Sequence, residues 1–388
     1  MHRNGFTPTV VERAPAIGEG GYKIDIRGAA LTVVERMGVL DEIRRLRTDV
    51  QGASVVDAAG RRVASMDGDT FGGREHGDAE IMRGDLNRLL YDLTRDEVEY
   101  LFDDSIAVLE QAADGVEVTF ASGTRRRFDL VVGADGLHSN TPRAGLRRRV
   151  TLRPGPGLPR VDLQRAQPSG PRPLGADLRR PWPHRAHLQH GTGHGREGHV
   201  PVQDRCAAAG PPRPVLAAAR TRARAGRSRG CSRAWRARRT STFDSLSQVH
   251  MDTWSAGRIG LVGDAAYAAS PASGQGTSLA LVGAYVLAAE LAAANDHESA
   301  YTAYESRMRP FVVRNQALGP SNIKRMVMRT RTQVRLSMIM LGLMAKLPAR
   351  DRLLAKVMAP IHEAANAIDL GRVLQNQMSK VARSIMPW

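Results

Sequence analysis

Three acidic residues sit where the chain leaves a β-branched or apolar run, and each is placed to hold a polar ligand. Glu12 follows Thr9-Val10-Val11. Asp135 lies within Asp129-Leu130-Val131-Val132-Gly133-Ala134-Asp135-Gly136-Leu137-His138-Ser139. Asp264 lies within Gly260-Leu261-Val262-Gly263-Asp264-Ala265-Ala266-Tyr267, which runs on through Ser270-Pro271-Ala272-Ser273-Gly274-Gln275-Gly276-Thr277. In a dinucleotide-binding βαβ unit, an acid ending the second strand hydrogen-bonds the adenosine ribose, about 20 residues after a glycine-rich turn. Glu12 fits that acid. Counting back the same distance places the turn before Met1, so the sequence predicts an amino terminus truncated of its first strand, glycine loop and most of its first helix. Gly133 and Gly136 permit close backbone approach, and Asp135 can accept hydrogen bonds from a cofactor or from its own loop. That string alone fits an ordinary strand-to-turn exit equally well. In the third string a buried strand ends on a carboxylate, and a small-residue loop then aims the free N–H groups of a helix start outside the sheet, which suits an anionic or electron-rich cofactor.

These sites need a frame, and the hydropathy pattern supplies one. Gly5 is placed as a helix C-cap, residues 9 to 12 read as a strand, residues 28 to 37 as a helix stopped by Gly38, and Arg83 to Thr94 as a second helix. Val116, Val118 and Phe120 alternate as a strand, Ser122-Gly123 makes a turn, and Phe128 to Val132 reads as one continuous buried strand. Residues 258 to 262, 263 to 276 and 277 to 294 read as strand, loop and strongly apolar helix. The remaining carboxy-terminal residues read as amphipathic helices. Their Met-rich run from Met338 to Met344 is too short to span a bilayer and is expected to pack in a core, with surface membrane contact as its other use.

Length of 388 residues allows two domains. No stretch is expected to span a membrane and no signal peptide opens the chain, which predicts a cytoplasmic location. Cys206 and Cys231 form no ligand spacing, so no disulfide framework or zinc site is expected. The formal charge of +17 is not evenly spread. Residues 143 to 242 hold 23 Arg, no Lys and four acids, a net of +19, which leaves −2 for the rest. That segment also lacks Phe, Tyr, Ile, Met and Asn and holds 12 of the 21 Pro, so no ordinary core is expected in it. Arg, Ala, Gly and Pro are read from GC-rich codons, and the composition predicts a frame slip near Thr141 with the frame restored near Phe243.

The strings around Glu12, Asp135 and Asp264 together resemble the group A FAD-dependent monooxygenases, the flavoprotein aromatic hydroxylase family that includes para-hydroxybenzoate hydroxylase and the tetracycline-degrading monooxygenases. The resemblance covers residues 1 to about 141 and 243 to about 320, where the three strings keep the family's order. It implies an α/β fold: a doubly wound, Rossmann-like FAD-binding domain (1–141 and 243–320), interrupted by residues 142–242 in place of the substrate sheet and closed by C-terminal helices (321–388). The resemblance implies that Glu12, with Arg13 beside it, binds the adenosine ribose, that Arg83 in Met82-Arg83-Gly84-Asp85-Leu86 contacts FAD, and that Asp25 and Arg27 form the flavin-side loop. It further implies that Asp135 and Gly136 serve FAD and NADPH contacts. Gly263, Asp264, Pro271, Gly274, Gly276 and Thr277 would cradle the ribityl chain and flavin ring. The implied reaction is hydroxylation of an aromatic or polyketide-like small molecule using NADPH and O₂, with no protein acid or base assigned.

Other readings stay open at this point: an inactive fragment unable to bind FAD, a flavin oxidoreductase that does not hydroxylate, or a basic nucleic-acid-binding protein. The Arg220 to Arg239 run could bind RNA in a salt-dependent way, but no specific nucleic-acid partner is expected. His184, His187, His190, His194 and His199 are spaced for metal ligation, yet the interleaved Pro181, Pro183, Gly191, Gly193 and Gly195 preclude a stable helix to present them, so no metal is expected.

Overall fold

Parallel strand pairing, which a doubly wound domain requires, occurs twice among the described residues. The computed structural model describes residues 1–19, 21–48, 50–56, 62–67, 74, 77–139, 141, 151–154, 185–190, 246–326, 330–344 and 350–371. Strand β1 (Thr9–Glu12) pairs in parallel with β6 (Glu99–Phe102), Val10 opposite Tyr100. Strand β10 (Val131–Gly133) pairs in parallel with β15 (Ile259–Leu261), and the short β14 (Ser255–Ala256) adds an antiparallel edge. Glu12, Asp135 and Asp264 all follow the carboxyl ends of these parallel strands, the end at which open α/β sheets bind their ligands.

Antiparallel pieces complete the frame. Strand β2 (Lys23–Ile26) pairs with β5 (Ala79–Met82), and β7 (Ile106–Ala112), β8 (Gly115–Phe120) and β9 (Arg125–Phe128) form a meander. The expected single strand from Phe128 to Val132 is therefore two. The meander ends at Phe128, and Val131 starts a new pairing when its N–H donates to the Arg258 carbonyl at 3.0 Å.

Two stretches within residues 142–242, where no ordinary core is expected, are described. Strand β11 (Thr151–Pro154) pairs antiparallel with β13 (Ser247–His250), and β12 (Arg185–His190) joins β3 (Val50–Val56), which also pairs with β4 (Arg62–Asp67). Backbone pairing needs no particular side chains, so an Arg-rich text can still supply strands. The remainder of the segment, including most of the expected disorder, lies outside the described residues.

Helices α1 (Ala29–Arg36), α2 (Leu40–Arg45) and α3 (Arg83–Asp92) flank β2 and β5. After β15 come a single turn, α4 (Asp264–Tyr267), then α5 (Gly276–Ala293), α6 (His297–Met326), α7 (Arg331–Met344) and α8 (Arg350–Ala365). Helix α5 has 18 residues and a mean hydropathy of 1.5, long and apolar enough by length and composition to cross a membrane, although Thr277, Ser278 and Glu290 interrupt its apolar run. Half of it is buried inside the protein, as expected of a core helix, while Ala284 is exposed. Its one buried charge, Glu290, pairs with Arg307 of α6 at 2.9 Å. Ile26, Ala30, Val34, Ile81, Val282 and Leu287 form one continuous core across α1, β2, β5 and α5.

Behind the β15–α5 connection lies an aromatic knot. Trp254, Tyr267 and Tyr304 are each at most 2% exposed, with ring centroids 4.6 Å (Trp254–Tyr267) and 5.7 Å (Trp254–Tyr304) apart. The Tyr304 hydroxyl lies 3.0 Å from that of Tyr267 and 3.1 Å from the Leu261 carbonyl. Burial pushes the Tyr267 phenol up to about 12, and burial with the neighbouring Tyr267 holds Tyr304 well above its ordinary value. Gly283 of α5 abuts the Tyr267 hydroxyl, and a Cβ there would overlap it. Gly283→Ala is therefore expected to destabilise the protein by about 3 kcal/mol through overpacking, measured by urea unfolding; an unchanged midpoint would show that the knot is loose.

Candidate functional site

The 263–276 connection is shaped by backbone that few residues accept. Gly263 (φ 68°) and Gly274 (φ 68°) occupy the left-handed half of φ space at no steric cost, whereas Ser270 (φ 74°) does so as a non-glycine residue. Ser270 is 6% exposed, and its oxygens organise the turn: its hydroxyl accepts from the Ala272 N–H (3.4 Å) and its carbonyl from the Ser273 hydroxyl (2.8 Å). The Ser273 hydroxyl in turn accepts from the Gln275 N–H at 3.1 Å.

Residues remote in sequence hold this loop from behind. The Gln316 amide of α6 donates to Val249 O (2.7 Å) and approaches Tyr267 O and Ala268 O (both 3.4 Å). Gln248 of β13 donates to Ala269 O (3.1 Å) and Gln316 O (2.6 Å), and Asn322 donates to Ala272 O (2.9 Å). Gln248 and Gln316 are buried, where such bonds meet little competition from water. Sequence reasoning missed all three, because nothing local marks a side-chain amide as a partner for a loop 21 to 50 residues away.

At the mouth of α5 the first helical bond runs from Leu279 N to Gln275 O (2.9 Å), so the N–H groups of Gly276, Thr277 and Ser278 precede the hydrogen-bonded ladder. Asp264 is exposed beside them: a Cβ on Gly276 would lie 3.9 Å from its Oδ1. Gln275 is fully buried, with both amide atoms unpartnered, and the Ser278 hydroxyl, also buried, is unpartnered too. Buried polar atoms carry a free-energy cost of about 1–3 kcal/mol each unless something bonds them. A polar ligand in contact with this helix start would meet that need, so the donor and acceptor set fits an FAD cofactor. Pro271 and Gly274 are exposed, and Gly276 and Thr277 are half-buried around the same mouth. Gln275 is the site residue that sequence reasoning passed over, although it lay within the quoted string.

The other expected residues are placed as follows. The β10 and β15 exits leave side by side, since Val262 N donates to Gly133 O at 3.0 Å, which brings the Asp135 and Asp264 loops together. Both Asp135 oxygens serve their own loop: Oδ1 accepts from the Ser139 hydroxyl, and Oδ2 accepts from Thr141 N and Oγ1, each at 3.2 Å. Gly136 follows at φ 81°. Glu12 and Arg13 are exposed at the end of β1, and Glu12 Oε1 accepts from Ala14 N at 2.7 Å. Arg83 opens α3; its side-chain carbons lie against Gly21, and its N–H donates to Tyr22 O at 3.1 Å.

Asp25 and Arg27 belong to a buried ionic network. Arg27, 3% exposed, pairs with Asp25 at 2.8 Å and with Asp78 at 3.8 Å. Asp25 and Glu80 face each other across β2–β5, a repulsive arrangement, and Arg74 lies between them, 3.6 Å from Asp25 and 2.5 Å from Glu80. Lys23 also reaches Glu80 (2.6 Å), and His362 of α8 lies 3.9 Å from Asp78. Asp25, expected in a flavin-side loop, lies in strand β2 and Arg27 just after it, and both are wired through Asp78 to α8. Alternating charge and Ile in Lys23-Ile24-Asp25-Ile26 was the one available hint.

With this geometry in hand, similarity to known proteins is informative. Residues 222–317 match the family model described as FAD binding domain, starting upstream of Phe243, where the sequence reading expects regular text to resume. Uncharacterized protein Rv1260 of Mycobacterium tuberculosis is 39% identical over 339 residues, covering 83% of this chain and 89% of that protein. A flavin-dependent monooxygenase from an unknown prokaryotic organism is 35% identical, covering 82% of this chain and 84% of the relative. Among solved structures, tetracycline destructase Tet(55) superposes with a TM-score of 0.69 at 29% identity, covering 95% of this chain and 93% of its own. The chain belongs to the group A FAD-dependent monooxygenases, with their α/β FAD-binding fold.

Gln316→Ala should cost about 2 kcal/mol in urea unfolding, because it leaves buried carbonyls of the loop unpaired. An unchanged midpoint would mean that the loop holds its shape unaided.

Proposed function

We propose that the protein hydroxylates an aromatic or polyketide-like small molecule in the cytoplasm, with FAD as cofactor and NADPH as reductant. The observation that carries this reading is the α5 mouth, where fully buried, unpartnered Gln275 sits with Asp264 beside N–H groups of a helix start. Bound there, FAD would supply the redox chemistry, with NADPH as reductant and O₂ as oxidant.

The chain's own residues bind, orient and exclude water. Asp264 accepts hydrogen bonds from ribityl hydroxyls, while the Gly276 and Thr277 N–H groups and the positive end of the α5 dipole stabilise negative charge on the flavin ring. Gly263, Pro271 and Gly274 let the backbone approach closely. Glu12 offers its second carboxylate oxygen to the adenosine ribose, with Arg13 beside it. Arg83 contacts the cofactor from the start of α3, and Asp25 of β2 and Arg27 just after it lie on the flavin side, held by Asp78 and Arg74. Asp135 acts by fixing its loop so that Gly136 can approach FAD and NADPH. No side chain is assigned proton transfer, and specificity rests on the pocket around the flavin.

The test is NADPH oxidation and O₂ uptake by FAD-supplemented protein, with tetracycline as the first probe, since a structural relative carries that compound in its name. The expected outcome is substrate-stimulated NADPH consumption with a product one oxygen atom heavier. NADPH consumption that yields only peroxide across a panel of aromatic polyketides would assign a non-hydroxylating oxidoreductase instead.

A further inference from the structure

We propose that helix α7 seats the protein on the surface of an anionic lipid bilayer. This inference does not depend on the proposed reaction. The Met-rich run was expected to pack in a core, yet Leu336, Ile339, Met340 and Leu343 are between 52% and 60% exposed. Their spacing of three, four and seven residues places all four on one stripe of the helix. Val334, 7% exposed, lies on the opposite side, and a Cβ on Gly342 would lie 3.9 Å from Val63 of β4, so the helix is already anchored to the protein by its other face. Apolar area presented this way by an anchored helix is free to enter an interface.

Charge identifies the partner. From Lys324 to Lys356 the sequence holds nine bases and a single acid, Asp351. Among them, Lys324, Arg335 and Lys356 are exposed. Arg335 is one residue before Leu336, flanking the stripe, where a long side chain can keep its charge among headgroups while its stem lies on apolar surface. An apolar stripe flanked by Arg335 in a basic stretch of sequence matches anionic lipid. A second copy of the chain would bring the same positive charge to the contact. The stripe is also small for that role: 14 residues at about 1.5 Å each make a face of roughly 200 Å², against about 800 Å² per partner in a stable dimer. Residues 331–344 are too short to cross the hydrocarbon, so the helix lies in the plane of the interface.

The experiment uses the full chain and vesicles of phosphatidylcholine, with or without about one third phosphatidylglycerol. An environment-sensitive fluorophore is placed at Met340→Cys, in a Cys206→Ser, Cys231→Ser background. The expected result is a blue shift with phosphatidylglycerol vesicles only. The triple variant Leu336→Glu, Ile339→Glu, Leu343→Glu should lose at least about tenfold in vesicle partition with an unchanged melting temperature, because the replaced side chains are exposed. The Arg-rich 143–242 segment could draw the protein to anionic vesicles by charge alone. Vesicle binding without a blue shift, and unaltered by the triple variant, would therefore overturn the proposal. So would absence of vesicle binding, or a triple variant that turns a dimer into a monomer while vesicle partition stays the same.

Discussion

A helix whose side chains are almost all apolar can offer polar groups to a ligand only at its ends, and this constraint organises the molecule. Helix α5 is packed by α1, β2 and α6 along its length, and its carboxy-terminal half holds a single buried charge, neutralised by Arg307. Its first N–H groups have no partners in the helix, and Gln275 and Ser278 add buried polar atoms at the same place. An apolar environment strengthens any hydrogen bond made there and penalises any left unmade. The α5 mouth is the place where bound flavin would repay its own desolvation best.

The rest of the structure keeps that mouth in shape. A loop with Ser270 at positive φ stores backbone strain of order 1–3 kcal/mol, which persists only when surrounding structure holds it. The surroundings here are the buried amides of Gln248 and Gln316 and the Trp254–Tyr267–Tyr304 knot. Both are rigid, since neither amides that are hydrogen-bonded to backbone nor tightly packed rings have much room to move. The ionic network of Asp25, Arg27, Arg74, Asp78 and Glu80 does the same work for the opposite loop, and His362 ties that network to α8. Breaking one member of such a buried set costs more than the pair is worth, because the remaining charge is stranded.

How much of this was legible depended on whether the signal was local. The three acids at strand ends, the small-residue loop and the apolar α5 could be read because strand, turn and helix patterns each lie within a few residues, and together they sufficed for the family and the FAD-binding fold. The break between Phe128 and Val131 was missed because continuous hydrophobicity does not record a change of pairing partner. Gln248, Gln316 and His362 were missed because partners of theirs are distant along the chain, and Arg74 because one of its two partners, Asp25, is. The exposure of Ile339 and Leu343 was missed for a related reason: an apolar stripe reads the same whether it meets a core or solvent. Strands β11 and β12 lie in text without periodicity, where pairing is carried by the backbone alone.

The account stands on the α5 mouth as the flavin contact, and hydrogen-exchange mass spectrometry with and without FAD tests it most directly. Slowed exchange is expected for amides between Asp264 and Leu279 on adding FAD, together with weaker protection around Asp25 to Arg27. FAD binding, established by visible absorption, with no change in exchange over residues 264 to 279 would contradict the account and place the flavin elsewhere.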